Sequence, residues 1–214
     1  MQNILLPQIP LQEVFYYRQR LINEFCNRDI KKNKAYFYSY REGEALRGPN
    51  EVCTFLLDFN GEYVPSTIIT ELFLVSDVCP RQNKKCTTAC DLLTLASIGQ
   101  FQNTVQYFPS RGHSLNVCDR DFATVKRKIS RLDRIHSHEV QSAVIKDSSK
   151  TGKFTVNRID SKNSIRLKKW WHKHYKNPVL PTSCYGKMFT KHQNCTFQTS
   201  TTLSSDVTLR TVVT

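Results

Sequence analysis

The acid that most invites chemistry in this chain is Asp77. It closes the apolar run ELFLVS, and Arg81, Gln82, Asn83, Lys84 and Lys85 lie just beyond it. A carboxylate at the end of a buried strand costs desolvation free energy unless something pairs with it. A bound cation, or a site that handles phosphate, accounts for both the acid and the basic turn. The acid to weigh with it is Asp119, at the start of a helical stretch, with Asp121 as its rival. Residues i and i+2 of a helix face apart, so one of the two is available as a ligand and the other is solvated. Hard cations take carboxylate oxygens, and Mg²⁺ keeps several waters, so few acids suffice. The purely structural alternatives are that Asp77 caps a turn and that Asp119 N-caps its helix. His113, after Gly112 in the loop RGHS, suits either phosphate contact and proton transfer or a hydrogen bond that fixes the turn.

Elements must position these groups. Residues 12–25, QEVFYYRQRLINEF, place Val14, Tyr17, Leu21 and Phe25 at helical spacing. KAYFYSY, 34–40, reads as an aromatic strand, and NEVCTFLLDF opens a helix at Pro49-Asn50 that Asn60-Gly61 is expected to stop. LFLV is continuously apolar, as in a strand covered on both faces. Residues 85–98 read as a helix, 104–108 as a strand and 119–132 as a helix with Phe122, Val125, Ile129 and Leu132 inward. The outer side of that helix carries Lys126, Arg127, Lys128 and Arg131, spaced to track a phosphate backbone. Residues 139–146 suit a helix, 153–159 a strand and 164–175, SIRLKKWWHKHY, a basic helix whose cations and aromatics fit phosphate contact and base stacking or packing of Trp170 and Trp171 on the core. From 177 onward Pro, Ser and Thr dominate and periodicity fades, so a largely disordered tail is expected. The order is an α/β pattern. One more strand before the first helix completes a ribonuclease H-like order, three antiparallel strands followed by alternating helices and strands.

The bulk numbers agree with a polyanion partner. Of 214 residues, 39% are hydrophobic, enough for a core, and the formal net charge is +13. No run approaches the ~20 apolar residues of a membrane span, and MQNILLPQIP lacks a basic n-region. A nuclear or cytoplasmic protein without a membrane partner is therefore expected. The eight cysteines, at 26, 53, 79, 86, 90, 118, 184 and 195, are then reduced thiols rather than a disulfide framework. Cys79, Cys86, Cys90 and Cys118 with His113 raise a zinc reading, but without a C-x-x-C pair buried thiols are the better account.

Several stretches resemble an uncharacterised domain family abundant in insect and other animal proteins derived from transposable elements. They are MQNILLPQIPLQEVFYYRQ, KNKAYFYSYREGEALRGPNEVCTFLLDF, SDVCPRQNKK and FPSRGHSLNVCDRDF, spanning roughly residues 1–175. That family is similar to DDE transposases and integrases with a ribonuclease H-like core. The resemblance implies a mixed sheet flanked by helices, and an ancestral Mg²⁺-dependent cleavage and strand transfer on DNA. In such chemistry two Mg²⁺ ions ~3.5–4 Å apart clamp the attacking and leaving oxygens of a phosphodiester. It assigns metal to Asp77 and Asp119, with Asp119 favoured over Asp121 by the spacing from Gly112-His113. His113 joins them as a catalytic residue, and Gln82, Asn83, Lys84, Lys126 and Arg127 contact nucleic acid. Three departures stand out. The family has a strand ending in Asp before the MQN-like stretch, and this chain starts after it. Its SDN or SDG is Ser76-Asp77-Val78 here. Its Gly-Gln-Asn-Lys turn reads Arg81-Gln82-Asn83-Lys84, with a side chain where a flexible turn is expected. The departures imply a truncated copy without activity, and a non-enzymatic basic nucleic-acid-binding module is the alternative. The expected division is a core with its first strand truncated or missing over 1–135, a basic C-terminal extension over 136–176 and a tail over 177–214.

Overall fold

The computed structural model describes residues 2–64, 71–77, 88, 91, 92, 94, 95, 101, 103–109 and 116–161, and the backbone of 194–198 and 208–213. It is mixed α/β, with mixed sheets and flanking helices. The chain forms two compact units: Met1–Arg47 with Leu115–Asn163, and Gly48–Ser114 with Ser164–Val213.

In the first unit, β1 (Gln2–Leu6), β2 (Arg20–Asp29) and β3 (Lys34–Arg41) pair antiparallel in sequence order, and β6 (Phe154–Arg158) adds in parallel beside β3. The β2–β3 hairpin is closed by Asn33, whose φ of 54° is the left-handed region that Asn tolerates, and by the Asp29 carboxylate accepting from Lys32 N–H at 2.9 Å. One face of the hairpin carries Ile22, Glu24, Cys26 and Arg28 from β2, with Ala35, Phe37, Ser39 and Arg41 from β3. Helices α2 (Val117–Ile129) and α3 (His138–Ser148) cover it.

Helix α2 starts where Asn116, in extended backbone, accepts from Cys118 N–H at 3.2 Å. Asp119 in its first turn and Lys126, Arg127 and Lys128 in its last suit the helix dipole. Cys118, Phe122 and Val125 are buried at helical spacing. Phe122 meets Phe37 edge-on at 5.4 Å, and Phe154 of β6 meets the same ring at 5.1 Å. Such pairs add about 0.5–1.5 kcal/mol beyond the area they bury. The buried stripe of α3 is His138, Gln141 and Ile145, polar at two of its three positions.

The second unit holds α1 (Pro49–Tyr63), β4 (Glu71–Ser76), β5 (Asn103–Tyr107), β7 (Asn194–Gln198) and β8 (Thr208–Val213). β4 lies parallel to both β8 and β5, and β7 is antiparallel to β5. Helix α1 has Pro49 at its first turn, and Glu51 accepts from Gly48 N–H at 3.0 Å. Residues Thr88, Asp91, Leu92, Thr94 and Leu95 have helical backbone, and Leu92 and Leu95 are buried.

Several sequence expectations change. Residues 12–25 are not one helix: a short 3-10 turn, Gln12–Tyr16, gives way to β2. Helix α1 runs through Asn60-Gly61 to Tyr63, because Phe59 and Asn60 are buried and outweigh the ~1 kcal/mol cost of a helical glycine. β4 is not equally covered on both faces: Leu72, Leu74 and Ser76 are buried, while Glu71, Phe73 and Val75 are half-buried. Leu132 is 39% exposed rather than inward. Residues 136–161, read as the start of an extension, belong to the first unit, where β6 pairs residue for residue with β3. Two stretches of the expected tail are the strands β7 and β8. The expected basic helix at 164–175 lies outside the described residues.

Candidate functional site

Asp77 follows β4 and is exposed. The residue before it, Ser76, is buried and accepts from Gln106 of β5 at 3.1 Å. Asp119 is exposed in the first turn of α2, its N–H donating to the Asn116 carbonyl at 3.1 Å. The two acids belong to different units. His113, Gln82, Asn83 and Lys84 lie outside the described residues, as do Cys79, Cys86 and Cys90 of the zinc reading. The side chains of Cys26, Cys53 and Cys118 are buried, and Cys118 Sγ lies 3.7 Å from the Cys26 carbonyl oxygen. Among the described residues, no group of three or more His, Cys, Asp or Glu side chains gathers as a metal site. No helix among them is long and apolar enough to cross a membrane.

The described residues build a cleft beside Asp121 instead. Asp121 is not solvated. It is 9% exposed, and Arg28, 7% exposed, donates from Nη1 to both of its carboxylate oxygens at 2.9 Å. The other Arg28 terminal nitrogen donates to Asn33 Oδ1. Burial raises the Asp121 pKa, against the opposing pull of Arg28, Arg120 and Lys153. Asp119 and Asp121 do diverge, as i and i+2 must, but Asp121 is the inward one.

From this pair the cleft opens along α2 and the α3–β6 turn, with a volume of about 570 Å³. Its cations are Arg28, Arg127, Lys128, Arg131, Lys150 and Lys153, and its carboxylates Asp121 and Asp147. Both carboxylates are engaged, Asp121 by Arg28 and Asp147 by Lys128 Nζ at 2.8 Å. Thr124, Ser148, Ser149 and Thr151 add hydroxyls. A second cavity of about 400 Å³ shares Arg28, Asp121 and Thr124 and adds Arg120. Of the residues expected to contact nucleic acid, Arg127 lines the cleft. Lys126 is exposed on the same helix without lining it.

Sequence reasoning missed three features: the Arg28–Asp121 pair, the cations Lys150 and Lys153 of the α3–β6 turn, and a buried polar pair of contacts on the same sheet face. There Glu24 accepts from Gln141 Nε2 at 2.5 Å, and Ser39 Oγ lies 2.7 Å from His138 Nε2. Glu24 and Ser39 are cross-strand partners, and His138 and Gln141 are one helical turn apart. The one available signal was the pair of polar doublets Asn23-Glu24 and Asn27-Arg28 between apolar doublets in RLINEFCNRD, a four-residue spacing that a helix reading absorbs.

Compared with protein-family models, curated proteins and solved structures, the chain matches none of them.

Proposed function

We propose that this chain is a nucleic-acid-binding domain of ribonuclease H-like, transposase-related descent, and that DNA lies along the cleft between α2 and the α3–β6 turn. The observation that carries the reading is charge: among the described residues six cations line that cleft, and the two carboxylates that line it are both held in ion pairs. Spaced guanidinium and ammonium groups with interleaved hydroxyls suit a phosphate backbone and carry no base information. The descent is supported by the element order: antiparallel β1, β2 and β3, then α1, β4, helical residues at 88, 91, 92, 94 and 95, β5 and α2. The order along the chain, read with the motifs quoted above, supports that descent.

Anisotropy titration of a labelled duplex across a salt series tests this. Binding should weaken steeply with salt. Arg127→Glu and Lys150→Glu should each lower affinity uniformly across sequences and flatten the log–log salt slope by about 1. Unchanged affinity in both variants overturns the cleft as the contact surface.

A second reading keeps the ancestral chemistry, and the exposure of both Asp77 and Asp119 at the ends of their elements favours it. In it these acids hold Mg²⁺ and His113, Gln82, Asn83 and Lys84 surround the phosphate. Mg²⁺-dependent nicking of plasmid DNA that disappears in Asp77→Asn establishes it; salt-sensitive binding without nicking leaves the binding module.

A further inference from the structure

We propose that a pocket beside the β1–β2 pair, at the start of α3, is a binding site for a single phosphate group. The site is separate from the basic cleft and shares no lining residue with it.

The backbone builds the pocket. Gln8 and Ile135 exchange both of their backbone hydrogen bonds at 2.9 Å, which draws the segment after α2 alongside Leu6-Pro7. Leu6, Ile22 and Ile135 are buried there as an apolar cluster, with Ile4 and Ile129 packed against it. Over this base stand Arg18, Arg20, Arg41, His136, Ser137 and His138, three guanidinium groups, two imidazoles and a hydroxyl. None of the described residues lining it is a carboxylate. Among the described residues three acids lie beside the lining: Glu42, Glu139 and Glu44, whose carboxylate accepts from Arg41 N–H at 2.6 Å. Glu42 lies 3.6 Å from Arg18, in a pair exposed on the Arg18 side, and Glu139 lies 3.3 Å from Arg41 and 2.7 Å from Arg158. Exposed pairs of this kind hold their members by only ~0–1 kcal/mol, so an incoming anion can recruit the arginines. Arg20 has no ion pair among the described residues.

An independent observation points to the same ligand. His138 is 3% exposed, and its Nε2 is held 2.7 Å from Ser39 Oγ, yet its Nδ1 has no hydrogen-bond partner among the described residues. A buried ring nitrogen without a partner is costly. When the Ser39 hydroxyl donates to Nε2, Nδ1 carries the proton and becomes a donor, which an anionic oxygen satisfies. Ser137 caps α3 by accepting from Val140 N–H at 3.3 Å, and its hydroxyl donates to the Glu139 carboxylate.

Size selects the ligand. The pocket measures about 250 Å³, below the ~300–1,000 Å³ of sites that enclose drug-sized ligands. It suits a tetrahedral oxyanion with a few waters. Arginines present fork-shaped donors that match phosphate oxygens. The phosphate can be inorganic or the end group of a nucleic-acid strand.

Calorimetric titration of the full chain with inorganic phosphate, and competition between 5′-phosphorylated and 5′-hydroxyl oligonucleotides, test the site. Inorganic phosphate should bind saturably at one site and ~10-fold or more weakly in Arg20→Gln, whose exposed side chain leaves the fold intact. A ~10-fold preference for the phosphorylated strand that vanishes in Arg20→Gln identifies the strand end as the source. Phosphate binding without that preference identifies the free ion. Arg127→Glu, in the cleft, should leave phosphate binding unchanged whether or not it weakens duplex binding. Absence of both saturable phosphate binding and the strand-end preference overturns the proposal. So does phosphate binding that survives in an Arg18→Gln/Arg20→Gln double variant.

Discussion

Glu24 is 1% exposed, and burial lifts its pKa from 4.5 to about 7 despite the hydrogen bond from Gln141. The native state therefore binds a proton more tightly than the unfolded chain does. The sign follows directly: stability is highest where both states are protonated and falls as pH rises from about 4.5 through 7. The loss across that window is roughly 3 kcal/mol. Glu24→Gln should abolish this slope and raise the melting temperature at pH 8, read by thermal denaturation at several pH values; an unaltered pH profile would show that the carboxyl does not titrate in the folded state. At Arg28, replacement by Met leaves the Asp121 carboxylate buried without its partner, with a cost of about 3–5 kcal/mol in urea unfolding. Paired substitution of both by apolar residues should recover most of that loss. Little of this was legible beforehand. Asp77 and Asp119 drew attention because acids at element ends are visible in a sequence. Glu24, Arg28 and Asp121 gain their character from partners some hundred positions away, and nothing local announces them.

Helix α2 is held at its start by Asn116 and along its length by Phe122. Asn116→Ala should cost about 1 kcal/mol through the lost cap, and Phe37→Ala about 3–5 kcal/mol, because Phe122 and Phe154 both lose the ring they pack against. Denaturant midpoints measure both. The elements that could be read from the sequence were those whose period was unambiguous: the aromatic run of β3, the apolar LFLV of β4 and the inward Phe122 and Val125 of α2. β2 was hidden. Val14, Tyr17, Leu21 and Phe25 fall at helical spacing by coincidence, while the real period of two places Glu24, Cys26 and Arg28 on a buried face, where apolar residues are the usual occupants. Tertiary partners overrode local pattern, as they do whenever a buried polar residue is satisfied from afar. The inward face of α3 escaped notice for the same reason, with His138 and Gln141 where a leucine is customary.

On the scale of the whole chain, the net charge of +13 favours polyanions without selecting among them, and in the functions proposed above the cleft and the small pocket divide that charge into two different recognition tasks. One tracks a backbone and the other holds a single group. Raising salt should therefore weaken duplex binding more steeply than binding of inorganic phosphate, since the former releases many condensed counterions and the latter few; equal salt dependence in parallel titrations would contradict the division. The α/β class was legible from alternating patterns, whereas the limits of the first unit were not, because its second half returns only after the whole of 48–114.

That return has a consequence for synthesis. The contacts Arg28–Asp121, Ser39–His138 and Glu24–Gln141 join positions 93, 99 and 117 residues apart. At about 5–20 residues per second, the hairpin of β2 and β3 emerges from the ribosome roughly 5–25 s before the helices that cover it. Throughout that interval Phe37 and its neighbours face water or a chaperone, so the yield of native protein in cells should depend on elongation rate as well as on final stability.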